Sequence, residues 1–150
     1  MTRRGAIQTS TAARMDAQDR ALLSRIQDLG KRVDAQDASR TAASLASLWF
    51  EAVGYFAKQE ALMELHAYPG RGAHRAAHHL FLKEIKDLVR ELREVGLTEK
   101  VIWHARRRMP DSFALHVETC DRPLLQFIAG PGAVYAPRMR WPPQYTFTLA

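Results

Sequence analysis

Apolar residues recur at intervals of three and four in four separate stretches of this chain, and polar residues interrupt each stretch. That interval is the period of one helix face. The first stripe is Met15, Asp19, Leu22, Ile26, Leu29 and Val33. The second is Leu45, Leu48, Ala52, Tyr55, Gln59, Leu62 and His66, widened by Trp49, Phe56 and Met63. The third runs from about Ala73 to Val95 through His74, His78, Phe81 or Leu82, Ile85, Leu88 and Leu92. The fourth starts near Thr98 and continues through Phe113, His116, Val117, Cys120, Leu124, Phe127 and Ile128. No stretch reads as a sheet strand. The expected fold class is all-α: an antiparallel, up-down-up-down four-helix bundle with an extended C-terminal tail.

Punctuation sets the boundaries. Asp37 or Ser39 is placed to cap the second helix. Tyr68-Pro-Gly-Arg-Gly72 ends it, and Gly96 ends the third before Thr98 starts another. Pro110 should split or kink the fourth helix, because a mid-helix proline loses a hydrogen bond and clashes with the preceding turn. Asp111 or Ser112 is then placed to cap the continuation. Residues 1–13 show no period and are expected to be a flexible segment. Residues 14–129 form the bundle, and residues 130–150, rich in proline and aromatics, form the tail.

Composition narrows the function classes. At 150 residues, 47% hydrophobic and 25% charged, the chain can bury one domain's core. It has no apolar run long enough for a bilayer, so no membrane partner is expected. The net charge of +6 raises nucleic acid as a partner, but acidic residues are interleaved with the basic ones, which argues against it. Arg106-Arg107-Arg108 and the aromatic tail are the candidate surfaces for a protein partner. The single Cys120 fits a reducing, cytoplasmic setting.

The polar interruptions carry the chemistry. His74 and His78 are four apart and share a helix face, on the buried stripe. His116 lies on the fourth stripe, with Asp121 five residues on. Three imidazoles with one carboxylate suit iron, zinc, copper or nickel. Facing them are Asp19, Tyr55 and Gln59. A carboxylate such as Asp19 is costly on an apolar stripe unless it is paired, hydrogen-bonded or bound to metal. Cys120 reads as a buried, inert thiol, with a further ligand as the alternative.

In these motifs the chain resembles the hemerythrin family over about residues 15–128. That family's first helix shows Asp-x-Gln-His-x-x-Leu, where this chain has Asp16-Ala-Gln18-Asp19-Arg-Ala-Leu22. Its second reads His-Phe-x-x-Glu-Glu-x-x-Met, where this chain has Tyr55-Phe-Ala-Lys-Gln59-Glu60-Ala-Leu-Met63. Tyr-Pro and His-x-x-x-His follow, matched by Tyr68-Pro69 and by His74 with His78. The last helix carries His-x-x-x-x-Asp, matched by His116 and Asp121. The resemblance implies a metal site at His74, His78, His116 and Asp121. It also implies a loss: Asp19 and Tyr55 stand where the second iron's histidines fall, and Gln59 where a bridging carboxylate falls. One iron per chain is therefore expected rather than two, with zinc also chemically suitable. Asp19, Tyr55 and Gln59 either hydrogen-bond together and fill the vacated half, or Asp19 and Tyr55 offer oxygens to a ferric ion. Glu60 lies about 100° around the helix from Gln59, given ~3.6 residues per turn, and does not restore the bridge. The implied function is binding or sensing dioxygen, nitric oxide or another small oxidant. The alternatives are a mononuclear metalloenzyme and a metal-free interaction module.

Overall fold

The computed structural model describes residues 3–34 and 36–130, with side chains from Ser10 onward. Every regular element among them is helical. Helix α1 spans Arg3–Asp34, α2 Ala38–Leu65 and α3 Arg71–Glu94. The fourth rod is composite. It consists of α4 (Glu99–Trp103), a π turn (His104–Arg108), α5 (Met109–His116), a second π turn (Val117–Asp121) and α6 (Arg122–Ala129). The expected tail falls almost wholly in residues 131–150, outside the described residues.

Local chemistry accounts for most helix ends. The Asp37 side chain accepts a hydrogen bond from the Arg40 backbone N–H at 2.9 Å and caps α2. Thr98 caps α4 in the same way, accepting from Val101 at 3.2 Å. Gly96, with φ +98°, supplies the left-handed residue that follows α3. Between α2 and α3 the chain turns tightly at Gly70. A Cβ there would meet the Tyr68 ring at 2.7 Å, and the Gly70 carbonyl accepts from the His74 N–H at 3.0 Å.

The rods differ from the expected pattern in two places. Helix α1 starts at Arg3, so most of the segment expected to be flexible is helical. Pro110 does not split the fourth rod, and neither Asp111 nor Ser112 caps a new helix. The Met109 N–H bonds the His104 carbonyl, five residues back, just before Pro110. The Arg122 N–H bonds the Val117 carbonyl in the same way, just before Pro123. A proline ring clashes with the carbonyl four residues earlier and donates no hydrogen bond. One extra residue in the preceding turn moves that carbonyl aside, so the helix passes through.

Packing follows the stripes. Helix α1 packs on α2 and on the fourth rod, and α2 packs on α3. The core has two apolar parts. One is built around Leu22, Ile26, Leu45, Phe56, Ile85 and Phe113, the other around Met15, Met63, Leu124 and Ile128. In chain order the buried polar residues fall between them: Asp19 between Met15 and Leu22, Gln59 between Phe56 and Met63, Asp121 between Val117 and Leu124. Charged pairs join the rods at the surface. Arg106 pairs with Asp34, while Glu84 faces His104 at 3.0 Å and Arg108 at 3.6 Å. Two arginines of the basic run thus make ion pairs within the chain.

Ile85 is fully buried and Leu65 is 78% exposed. Ile85→Ala is expected to cost about 2–5 kcal/mol, and Leu65→Ala less than about 0.5 kcal/mol. Urea unfolding followed by helical circular dichroism measures both.

Candidate metal centre

The second π turn sets the geometry of the site. In a regular α-helix residues five apart point about 140° away from each other, given ~3.6 residues per turn. The wider turn at Val117–Asp121 brings Asp121 back to the side of His116. Helix α3 presents His74 and His78 one turn apart from the opposite wall. All four side chains are buried: His74 at 2%, His78 at 0%, His116 at 7% and Asp121 at 0% exposure. One ligand atom from each lies within 4.8 Å of the others. Donors bound at ~2.0–2.2 Å to one ion sit up to about 4.4 Å apart, so the cluster is close to the span of one coordination shell.

The hydrogen bonding within this cluster is incomplete. His74 Nε2 and His116 Nε2 both approach Asp121 Oδ1, at 2.9 and 3.0 Å. Neither contact is aligned as a hydrogen bond. Both nitrogens of His74, Nε2 of His116 and both oxygens of Asp121 are buried without a hydrogen-bond partner. Native interiors rarely leave such atoms orphaned, and a group of them calls for water or an ion to satisfy it. Imidazole nitrogens around one carboxylate are the donor set of iron and zinc. The residues therefore fit a metal.

His78 is held more completely. Its ring stacks on Phe56 at 3.9 Å between centroids, with planes 7° apart. Its Nδ1 lies 3.0 Å from Glu60 Oε1, and its Nε2 lies 2.9 Å from Gln59 Oε1. Burial pushes the ring down to about 4 against the opposing pull of Glu60, so His78 is neutral near pH 7. A neutral ring carries one proton. On Nδ1 that proton meets the Glu60 carboxylate and leaves the Nε2 lone pair against Gln59 Oε1, whereas on Nε2 it is donated to Gln59; the first tautomer is the one a metal-binding imidazole requires. Glu60 in turn faces Arg75 Nε at 3.3 Å.

In the other half of the site the hydrogen-bonded alternative is the one observed. Tyr55 donates to Asp19 Oδ1 in a very short contact, and Gln59 Nε2 donates to the Tyr55 oxygen at 2.7 Å. Asp19 is 1% and Gln59 0% exposed. Burial first, then the charge of Asp121, raises Asp19 well above the usual carboxylate range. Burial and the Asp19 charge raise Tyr55 as well. Burial would also raise Asp121, but contact with His116 and His74 outweighs it and holds Asp121 low. For His116 burial acts downward, while Asp121 and the neighbouring Cys120 thiol prevail and push it up to about 10.

The four expected ligands are thus brought together, and so are the three polar residues beside them. Cys120 departs from expectation: it is half-buried rather than buried, and it is not among the grouped donors. Glu60 was legible only as a failed bridge, and its role beside His78 was missed. The signal was a carboxylate at the edge of a stripe that also carries a buried amide. No family profile, curated protein or solved structure matches the chain.

Two predictions concern the buried polar half. Asp19→Asn keeps an oxygen for Tyr55 and is expected to lower stability by about 1–3 kcal/mol, read by urea denaturation. The chelator-treated protein should also lose stability as pH rises above about 6.5. The unfolded chain releases its histidine proton near 6.5, whereas folded His116 holds its own to about 10. Asp19, raised in the fold, also costs stability as pH rises, beginning at the ordinary carboxylate value rather than at 6.5. Below 6.5 the two groups oppose each other. His78 is protonated in the unfolded chain but stays neutral in the fold down to about 4, which lowers stability as pH falls. Asp19 acts the other way, so Asn at that position should uncover an acid-side loss between about pH 6.5 and 4.

Proposed function

We propose that this protein is a hemerythrin-like four-helix metal protein that holds one iron ion and uses it to bind or sense dioxygen, nitric oxide or another small oxidant. His74, His78, His116 and Asp121 would hold the ion. The observation that carries this reading is the set of orphaned, buried donor atoms on His74, His116 and Asp121. The antiparallel, up-down-up-down arrangement and a cytoplasmic location belong to the same reading. For the location, the support is that no described helix is long and apolar enough to cross a membrane, together with the single free thiol.

The rest of the site has definable tasks. Asp121 supplies the one negative charge among the four donors and offsets part of the ion's charge. Glu60 keeps the His78 proton on Nδ1, and Phe56 fixes the plane of that ring. Asp19, Tyr55 and Gln59 are hydrogen-bonded in a chain, and Gln59 Oε1 also meets His78 Nε2, which supports one ion rather than two. When bound, iron supplies an electron-rich centre with affinity for small diatomic molecules. Zinc suits the same donors but has no redox chemistry.

A second reading, a mononuclear metalloenzyme, is favoured by one feature. A groove of about 460 Å³ between α3 and the fourth rod reaches His116 and Cys120. That volume suits a small organic molecule rather than a diatomic one. Turnover of such a compound would support it.

Elemental analysis of protein purified without chelators is expected to find one iron per chain. Two irons per chain, or none after loading with ferrous iron under anaerobic conditions, would sink the proposal. His78→Ala should abolish binding. Glu60→Gln should weaken it by about 10–100-fold, the usual effect of removing a carboxylate behind a ligating histidine. Nitric oxide added to the ferrous protein should change its visible spectrum, whereas a zinc protein would stay silent.

A further inference from the structure

Two turns along α3 from His78, and independent of the metal reading, α2 and α3 frame a second groove of about 450 Å³. Its floor is apolar. Trp49 and Ile85 line it, and Phe50 stands at its edge with 71% of its surface exposed. Beside Trp49, Ile85 and Val89 this ring carries the apolar floor of the groove out to the surface. The α3 side of the groove is basic. Lys86, Arg90 and Arg93 follow one another at intervals of four and three, so they form a ladder along one helix face. Glu94 is the single acidic residue in the lining. The Lys86 ammonium lies 5.1 Å from the centre of the Trp49 ring, and Arg90 pairs with Asp87 at 3.0 Å. Arg93 is exposed and makes no ion pair among the described residues.

We infer that this groove docks an acidic amphipathic helix of a partner protein, with apolar side chains against Trp49 and Phe50 and carboxylates along Lys86, Arg90 and Arg93. The charge of the ladder selects this occupant. A second copy of a chain with net charge +6 would set like charges together in a self-complementary contact. The C-terminal segment, which carries Arg138 and Arg140, is mismatched for the same reason. A fatty acid or lipid presents one head group, whereas these cations spread over about 10 Å of helix rise at ~1.5 Å per residue. Carboxylates three and four apart on a partner helix match that spacing, and apolar anchors at the same interval match the floor.

The test uses the full chain carrying Trp103→Phe and Trp141→Phe, which leaves Trp49 as the fluorescent reporter. It is titrated with a synthetic helical peptide bearing leucine at threes and fours and glutamate at the flanking positions. The control is the same peptide with lysine in place of glutamate. The acidic peptide is expected to shift Trp49 emission and to bind about tenfold or more tightly than the basic one, because complementary charge sets specificity. Its affinity should fall as salt rises from about 0.05 to 0.5 M. Lys86→Glu with Arg93→Glu should reverse the preference, and Phe50→Ala should weaken binding by roughly tenfold, as expected for an aromatic anchor. These three positions are exposed, and unchanged helical circular dichroism checks that the variants fold. Equal binding of the two peptides, or binding indifferent to the glutamate variants, overturns the proposal. So does self-association lost in Phe50→Ala, which would assign the groove to a second copy. A Trp49 shift with phosphatidylglycerol vesicles but not with the peptide overturns it in favour of a lipid surface.

Discussion

The Asp121 carboxylate is fully buried, and much of the architecture answers to that fact. An isolated charge in an apolar interior costs several kcal/mol, so it persists only with compensation. His74 and His116 each approach the same oxygen, one from α3 and one from the preceding turn of its own rod. The second π turn makes the His116 approach possible, and Pro123 stands directly behind that turn. Proline here acts with the site rather than against the helix. The ring that a regular turn would reject favours the widened turn that the five-residue spacing needs.

The polar layer has two unlike halves. On one side His74, His116 and Asp121 present donors that the protein itself does not satisfy. On the other, Asp19, Tyr55 and Gln59 form a chain of hydrogen bonds that leaves little for an outside group. His78 stands between them, with Gln59 at one nitrogen and Glu60 at the other. The same low dielectric drives both halves. Orphaned donors there could hold an ion, and satisfied ones have little left to offer another group.

Much of this was legible in the sequence. Apolar spacing of three and four located four helical rods, and helix termini were written in Asp37, Gly96 and Thr98, whose local chemistry acts within a turn or two. The candidate ligands were legible because His74, His78 and His116 sit in step with the apolar period, and a surface histidine has no reason to keep that step. That Asp19, Tyr55 and Gln59 would need partners followed from the cost of leaving each alone, but whether those partners were one another or a metal did not.

Other features depended on contacts between rods or on backbone choices that no local pattern specifies. The helical start at Arg3 was hidden because residues ahead of Met15 show no apolar period. The passage of the helix through Pro110 was hidden because a proline alone does not reveal whether a turn breaks or widens. That choice rests on whether packing rewards a continuous rod. Glu60 gained its meaning only once α3 set His78 against α2, since the two residues are far apart in sequence and share no period. Sequence by itself determined the helices and the kind of atoms they would bury. The tertiary structure decided which of those atoms satisfy one another and which are left without a partner, because that outcome turns on the distances and angles at which side chains from separate helices meet.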